Sequence, residues 1–124
     1  MKVVTIRDIP NVPVEGADRI KGWTGPVSRS RQTIIEPGDS ANDDCSVVAF
    51  SEGCTTGWDT HTCDQIMIAT SGSGIAPAEY EQHEINVGNV VHIKPGERHW
   101  HGVRAHPTMG HITITAVGGQ ATWR

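Results

Sequence analysis

The 124-residue sequence is low in aromatic and charged residues, which make up 5% and 19% of it, and it has no long apolar run. Its ten Lys and Arg residues are scattered and the formal net charge is −4, so we expect no basic surface for a nucleic acid. A membrane helix needs about 18 or more consecutive apolar residues, and the N-terminus lacks the features of a secretory leader. These absences predict a soluble, cytoplasmic protein that binds neither nucleic acids nor membranes.

Cysteine is scarce as well. The three cysteines are an odd number and none belongs to a C-x-x-C pair, so neither a disulfide framework nor a zinc ribbon is indicated and free thiols are expected. A chain of this length has room for a single domain. Within that domain we expect an N-terminal arm with the first strand or strands over residues 1–45 and a barrel core over residues 46–124.

Glycine and proline are common, with 14 and 7 residues, and no segment shows the sustained apolar spacing of three and four that predicts a helix. From residue 46 onward, short apolar and β-branched segments recur at the spacing of about 8–12 residues that is typical of a sandwich or barrel. These segments are Ser46–Phe50, Gly57–His61, Gln65–Thr70, Glu84–Val87, Val90–Ile93 and His111–Val117. The predicted class is therefore all-β.

The first 45 residues are less regular, because prolines interrupt them at Pro10, Pro13, Pro26 and Pro37. One further strand is predicted over residues 32–35. An irregular arm of this kind, together with an apolar outer strand face, favours association with another copy of the chain. We therefore predict a homodimer or a larger homo-oligomer.

Four polar side chains have the spacing of a metal site. Asp59 and His61 are two residues apart on a predicted strand, so both point to one face, and Gln65 follows after a short turn. His99 comes shortly after a turn at Pro95-Gly96. Two histidines, a carboxylate and an amide oxygen suit Mn²⁺ or Fe²⁺ better than a structural zinc ion, which favours thiolates. Taken singly, each residue would instead be read as a hydrogen-bonded or solvent-facing side chain.

The last predicted strand has one polar and one apolar face, because Ile112 and Ile114 alternate with His111, Thr113 and Thr115. In a closed barrel the polar face lines a cavity, whereas on an edge strand the same face points into solvent. An unperturbed imidazole has a pKa of about 6.5 and exchanges protons near pH 7. If the face lines a cavity, His111 is a candidate acid-base residue.

Neighbours of these residues have two readings each. His101, two residues after His99, is either a partner that orients that ligand or a solvated loop histidine. Cys63 lies near the predicted site or is a small buried apolar residue. Trp58 and Trp100 either pack the barrel or contact a ligand.

Two linked motifs carry a resemblance that covers about residues 46–117. The spacing G-x5-H-x-H-x3-E-x6-G is matched at five positions, by Gly53, Asp59, His61, Gln65 and Gly72. The spacing G-x5-P-x-G-x2-H-x3-N is matched by Gly88, Gly96 and His99, with Lys94 and Val103 in place of the proline and the asparagine. In both motifs the sequence resembles the cupin family, which implies a double-stranded β-helix, the jelly-roll barrel of the cupins.

A narrower resemblance lies in three segments, Trp58–His61 with Gln65, Pro95–Gly102 and Met109–Ile112. They are similar to small cupins related to manganese-dependent bacterial hydroxynitrile lyases and to cupins associated with carboxymuconolactone decarboxylases. Members of that group usually read W-H-T-H-x3-Q. Gln65 agrees with this pattern, whereas Asp59 replaces its first histidine.

The resemblance implies a divalent metal ion, Mn²⁺ first and Fe²⁺, Zn²⁺ or Ni²⁺ as alternatives, with His61, Gln65 and His99 as ligands. It also places His111 where those lyases have a substrate-facing histidine. Asp59 has three readings. As a fourth ligand, its charge would lower the Lewis acidity of the metal and favour oxygen activation. Otherwise its side chain falls short and water takes the position, or the metal has been lost and the chain is a binding protein.

The predicted function is that of a metal-dependent enzyme acting on a small organic molecule. We expect lyase-type chemistry in which the metal polarises a substrate oxygen and His111 moves a proton. The lyase class rests on the resemblance alone. The alternatives are an Fe²⁺ dioxygenase that uses Asp59, His61 and His99, and a non-catalytic protein that binds a small molecule.

Overall fold

The structure is a computed structural model that describes residues 1–14, 29–51, 53–103 and 108–123. Strands dominate these residues, and the helical part is one short 3-10 helix, Ile6–Asp8. The strands are β1 (Val12–Pro13), β2 (Arg29–Ile35), β3 (Asp43–Phe50), β4 (Asp59–His61), β5 (Gln65–Pro77), β6 (Gln82–Asn86), β7 (Val90–Ile93), β8 (Met109–Ala116) and β9 (Ala121–Trp123). The all-β prediction is confirmed. Across the described ranges, no helix has the length and apolar character needed to cross a membrane.

The strands form a main antiparallel sheet in the order β1-β2-β3-β8-β5-β6, with β7 paired to the first part of β5. A second layer contains β4 and β9, which pair with each other. Isolated bridges join this layer to the rest. His99 bridges to Asp59 and Ala78, and Gly102 bridges to Thr55 and Ile75. The cavity described below has walls from both layers.

Every predicted strand overlaps an observed one, but β5 is much longer than predicted. Its first part, residues 65–72, pairs with β8, and residues 73–77 pair with β6. The register against β8 shifts between Ala69 and Ser71, and the strand changes its partner from β8 to β6 between Gly72 and Ser73. In the sequence, the glycines and the proline of residues 72–77 suggest a turn. In the fold these residues belong to β5 and lie where it passes from β8 to β6. The short strands β1 and β9 were also not predicted.

The N-terminal arm, as far as it is described, packs on its own chain. β1 pairs with β2, and the Gln32 side chain donates to the carbonyl oxygens of Ile6 and Ile9 at 2.8 and 2.9 Å. Residues 15–28, including Pro26, lie outside the described residues. The predicted homo-oligomer stays a prediction.

The inner face of β8 changes from apolar to polar along the strand. Met109 belongs to the core, whereas His111, Thr113 and Thr115 line a cavity. The core cluster consists of Val48, Phe50, Cys54, Ala69, Ala76, Ile85, Val103 and Met109. Burial of a large apolar side chain contributes about 1.5–3 kcal/mol. Apolar packing therefore stabilises one part of the barrel and leaves the polar part to enclose a site.

The motif glycines share a positive φ, at Gly53, Gly72, Gly88 and Gly96. At Gly72 a Cβ atom would also overlap the carbonyl oxygen of Thr108, whereas Gly38 has a positive φ with nothing within 4 Å. Both alanine variants meet left-handed strain of about 1–2 kcal/mol, but only Gly72→Ala adds overpacking of about 1–3 kcal/mol. We expect Gly72→Ala to lower the Tm by several degrees more than Gly38→Ala in calorimetry. Equal losses in the two variants would contradict the close approach.

Candidate metal centre

Asp59, His61 and His99 meet because of two features of the backbone. Alternation along β4 turns Asp59 and His61 to one face, and an antiparallel bridge places His99 opposite Asp59. In that bridge the N–H of each residue donates to the carbonyl of the other, at 2.8 and 3.0 Å, which sets the Cα atoms about 5.5 Å apart. One ligand atom from each of the three side chains lies within 4.8 Å of the others.

The short contacts in this cluster lack hydrogen-bond geometry. Asp59 Oδ1 lies 3.0 Å from His99 Nε2, and Asp59 Oδ2 lies 3.3 Å from His61 Nε2, yet these four buried atoms make no hydrogen bond. His99 Nδ1–H donates to the Glu97 carbonyl at 2.9 Å, so Nε2 of the neutral ring carries a lone pair. A lone pair that faces a buried carboxylate is repulsive unless a cation binds both. The cluster is therefore arranged for a proton or a metal ion.

Gln65 supplies a further oxygen from the first residue of β5. Its Nε2 donates to Thr113 Oγ1 at 3.1 Å, and its buried Oε1 has no hydrogen-bond partner. Gln65 lines the same cavity as Asp59 and His61. The orientation of the amide thus directs an acceptor, not a donor, to the polar end of the barrel.

The donor set fits a divalent metal ion. In these four residues, five buried side-chain atoms have no hydrogen-bond partner, namely Asp59 Oδ1 and Oδ2, His61 Nε2, Gln65 Oε1 and His99 Nε2. Each buried acceptor left unpaired costs about 1–3 kcal/mol, and a bound cation removes that cost. Imidazole, carboxylate and amide donors suit Mn²⁺ or Fe²⁺. Asp59, His61, His99 and Gln65 would hold the ion.

Without metal, the cluster predicts a pH window of stability. Burial opposes ionisation of Asp59, but the contacts with His61 and His99 outweigh it and lower its pKa from 3.8 to about 2. Burial likewise opposes protonation of His99, but Asp59 raises its pKa above the ordinary 6.5. The contribution of Asp59 is complete above its unfolded pKa and is lost as the pH falls towards 2. The contribution of His99 is complete below its unfolded pKa and is lost as the pH rises through the raised value.

We therefore expect the Tm of chelator-treated protein to be highest between about pH 4 and 6.5. Because a metal ion replaces the proton on His99, the rise in Tm on adding Mn²⁺ should be larger at pH 8 than at pH 5. Scanning calorimetry of metal-free and loaded protein across this range tests both expectations. An equal rise at the two pH values would contradict the shared site.

A cavity of about 540 Å³ adjoins the cluster, a size typical of small-molecule sites. His111 lines this cavity and is only 2% exposed. Its ring stacks on Phe50, with centroids 5.8 Å apart and planes 25° from parallel. β8 lies between β3 and β5 in the sheet, so the reading of His111 as a solvent-facing residue on an edge strand is wrong. The polar face of β8 is a cavity wall.

His101 lines the same cavity and is 5% exposed, so its reading as a solvated loop histidine is also wrong. Its ring centroid lies 4.9 Å from that of His99 and 6.1 Å from that of His111. The backbone N–H of His101 donates to Thr56 Oγ1 at 2.9 Å. Burial first, and the charge of His99 second, lower the pKa of His101 well below 6.5. The two-residue spacing from His99 was the signal in the sequence for this placement.

The described histidines fall into two groups, those that belong to the site and those on the surface. His83 and His92 are exposed and contact carboxylates, Glu81 at 2.9 Å and Asp64 at 2.6 Å. Neither histidine lines the cavity, whereas the half-buried Cys63 does. Only some of the clustered histidines therefore belong to the site.

No family model matches the sequence. The (R)-mandelonitrile lyase of Granulicella tundricola is 43% identical over 68 residues, which cover 54% of this chain and 52% of the lyase. The match thus spans about half the length of that curated relative.

Solved structures extend the likeness over most of the chain. A cupin-like protein from Thermotoga maritima has a TM-score of 0.74 at 28% identity, with 82% of this chain and 78% of that chain covered. A cupin-2 domain from Rhodospirillum rubrum has a TM-score of 0.78 at 12% identity, with 99% and 80% covered. The chain has the cupin fold. The polyketide cyclase RemF from Streptomyces resistomycificus shares this fold with a TM-score of 0.77 at 18% identity, over 94% of this chain and 79% of that chain.

The cupin fold explains why the donors converge. In this chain the first motif supplies Asp59, His61 and Gln65, and the second supplies His99 from the segment that bridges to β4. The cupin fold and the cluster together support a site for a divalent metal ion. The departure from the cupin motif at Asp59 lies at the centre of the cluster, where the carboxylate contacts both histidines.

If Asp59 binds the metal, Asp59→Ala should weaken Mn²⁺ binding by at least about tenfold. Asp59→His should retain the affinity, because it restores the motif residue. The exposed Asp64→Ala is the matched control and should change nothing. Titration calorimetry on the three variants gives the comparison, with circular dichroism to confirm folding. Unchanged affinity in a folded Asp59→Ala variant would show that water can replace the carboxylate.

Proposed function

We propose that this cupin is a metal-dependent enzyme that cleaves a small hydroxylated organic molecule by acid-base chemistry of the hydroxynitrile-lyase type. The observation that carries the proposal is the presence of His111 in the same cavity as Asp59, His61 and Gln65. A metal donor set and a separate imidazole are the two parts that such a reaction needs. The identity with a mandelonitrile lyase over 68 residues supports the reaction class.

The proposed reaction moves one proton and breaks one carbon–carbon bond. A base takes the proton of the substrate hydroxyl, the bond to the nitrile carbon breaks as the carbonyl forms, and the leaving cyanide receives a proton. A divalent metal ion bound by the cluster supplies Lewis acidity towards the substrate oxygen. His111 is the proposed base because its imidazole borders the cavity and the stack on Phe50 fixes the plane of the ring.

His101 is proposed to remain uncharged beside the metal position. Its buried ring lies near those of His99 and His111. Because its pKa is lowered, the ring brings no positive charge to the metal position.

A second candidate is an Fe²⁺-dependent dioxygenase. The observation that favours it is the composition of the cluster, since two histidines and one carboxylate, His61, His99 and Asp59, are the donors of facial-triad iron sites. The two candidates require different metals and different co-substrates.

Protein purified without chelator separates the candidates. Bound Mn²⁺ together with release of benzaldehyde and cyanide from mandelonitrile supports the lyase. Bound Fe²⁺ with oxygen consumption and no cyanide release supports the dioxygenase. Stoichiometric metal with neither reaction, or protein that takes up no metal at all, would overturn the enzyme proposal in favour of a binding protein.

A further inference from the structure

Arg31 holds a distinct position at the cavity. It lies on β2, and of the Lys and Arg side chains in the described ranges it alone borders this cavity. Arg31 pairs with Val48 across β2 and β3, and Val48 pairs with His111 across β3 and β8. All three residues line the cavity, with Val48 and His111 buried and Arg31 exposed at its edge. Because neighbouring strands lie about 4.8 Å apart, the Cα atoms of Arg31 and His111 are about 10 Å apart on one wall.

No carboxylate of the described residues forms an ion pair with the guanidinium of Arg31. The cavity is lined by two carboxylates, and neither pairs with Arg31. Asp59 contacts the histidines, and Asp44 lies on β3 opposite Thr115 of β8. A divalent ion at Asp59 would leave a net charge of +1 there. The cavity would then have one positive group at the metal centre and another at Arg31.

Part of the cavity wall beside Arg31 is polar. Thr33, Ser46 and Thr113 form the next row across β2, β3 and β8, and all three hydroxyls line the cavity. Thr113 also accepts a hydrogen bond from the side-chain amide of Gln65 on β5. Hydroxyl groups on this wall can pair with the oxygen atoms of a ligand that reaches from the cluster to Arg31.

We propose that the molecule bound in this cavity carries a carboxylate that pairs with Arg31, while a hydroxyl or carbonyl oxygen at its other end faces Asp59 and His61. The planar fork of a guanidinium matches a carboxylate with two parallel hydrogen bonds. A single Arg, with Asp44 also on the rim, suits a singly charged group better than a phosphate dianion. The reacting end of the molecule rests on the proposed function, whereas the carboxylate contact rests on Arg31.

The test uses 4-(hydroxymethyl)benzoate and its amide, 4-(hydroxymethyl)benzamide, as probes on Mn²⁺-loaded and metal-free protein. The two probes differ only in the group distant from the hydroxyl, which is an anionic carboxylate in one and a neutral amide in the other. By titration calorimetry, wild type should bind the carboxylate about tenfold more tightly than the amide, and added salt should reduce the difference. Arg31→Gln should abolish the preference and Arg31→Lys should keep part of it. Arg7→Gln, at an exposed arginine outside the cavity, should leave it intact.

Equal binding of the two probes to wild type, or a preference that survives in Arg31→Gln, overturns the inference. Absence of carboxylate binding up to about 10 mM, beyond the weak end of small-ligand affinity, also overturns it. The proposed function fails separately. A carboxylate preference without metal uptake or turnover would retain the Arg31 contact and reject the enzyme, whereas turnover without the preference would do the reverse.

Discussion

We expect His99→Ala to weaken the affinity for Mn²⁺ by more than about 100-fold, and His61→Ala to have an effect of the same order. The reason is geometric, since both Nε2 atoms are buried without a hydrogen-bond partner and face the carboxylate of Asp59. Loss of an outer partner of a metal ligand alone costs about tenfold to hundredfold, and loss of the ligand itself costs more. Metal analysis after dialysis against Mn²⁺ measures the effect.

The histidines outside the cavity are the matched controls. His83→Ala and His92→Ala remove exposed imidazoles that contact carboxylates on the surface, and both variants should keep full metal content. His99→Gln provides a variant that fills more of the space than alanine, so a folding defect can be told from loss of a ligand. Full metal content in both His61→Ala and His99→Ala would remove the basis of the candidate metal centre.

Local pattern was sufficient to predict the strands that carry the site. The alternation of Asp59 and His61, and that of His111 and Thr113, depends only on the two-residue period of a strand. The structure confirms that these side chains face the cavity. The spacing of the two motifs then anticipates that residues 59 and 99 meet, because it reflects a bridge between distant segments of a known fold.

Features that depend on pairing between distant strands could not be predicted. The second part of β5 contains glycines that a local reading assigns to a turn, and only its ladder with β6 makes it a strand. Arg31 gave no signal, because its position on the cavity wall follows from the register of β2 against β3. The hydrogen bond from Gln65 to Thr113 likewise joins residues 48 positions apart. Such contacts depend on register, which periodicity alone does not fix.

The same dependence explains why the role of Asp59 was left open by the sequence. Side-chain length alone suggests that aspartate falls short of a position usually held by histidine. The bridge to His99 changes this expectation, because it brings the backbone of residue 59 close enough for Oδ1 to lie 3.0 Å from His99 Nε2. A short side chain on a close strand reaches the cluster.

For the reaction, the largest expected effect outside the metal ligands is that of His111→Gln. We expect the kcat for mandelonitrile cleavage to fall by about 10²–10⁴-fold, the usual contribution of a general acid or base. Metal content should not change, because the cluster of metal-binding atoms does not include His111. Glutamine preserves hydrogen bonding and much of the side-chain volume against Phe50, but it cannot take the proton.

The pattern of kinetic constants distinguishes this role from a structural one. Loss of a proton acceptor lowers kcat with little change in KM, whereas collapse of the cavity wall raises KM and lowers the Tm. His83→Gln, at an exposed histidine outside the cavity, controls for the change of residue type and should leave both constants unchanged. The pH dependence adds a second criterion, since the acidic limb of the kcat profile should be lost in His111→Gln if His111 is the base. A variant with wild-type kcat and bound metal would exclude His111 as the base. The buried His101 would then be the remaining histidine of the described cavity wall outside the candidate metal ligands.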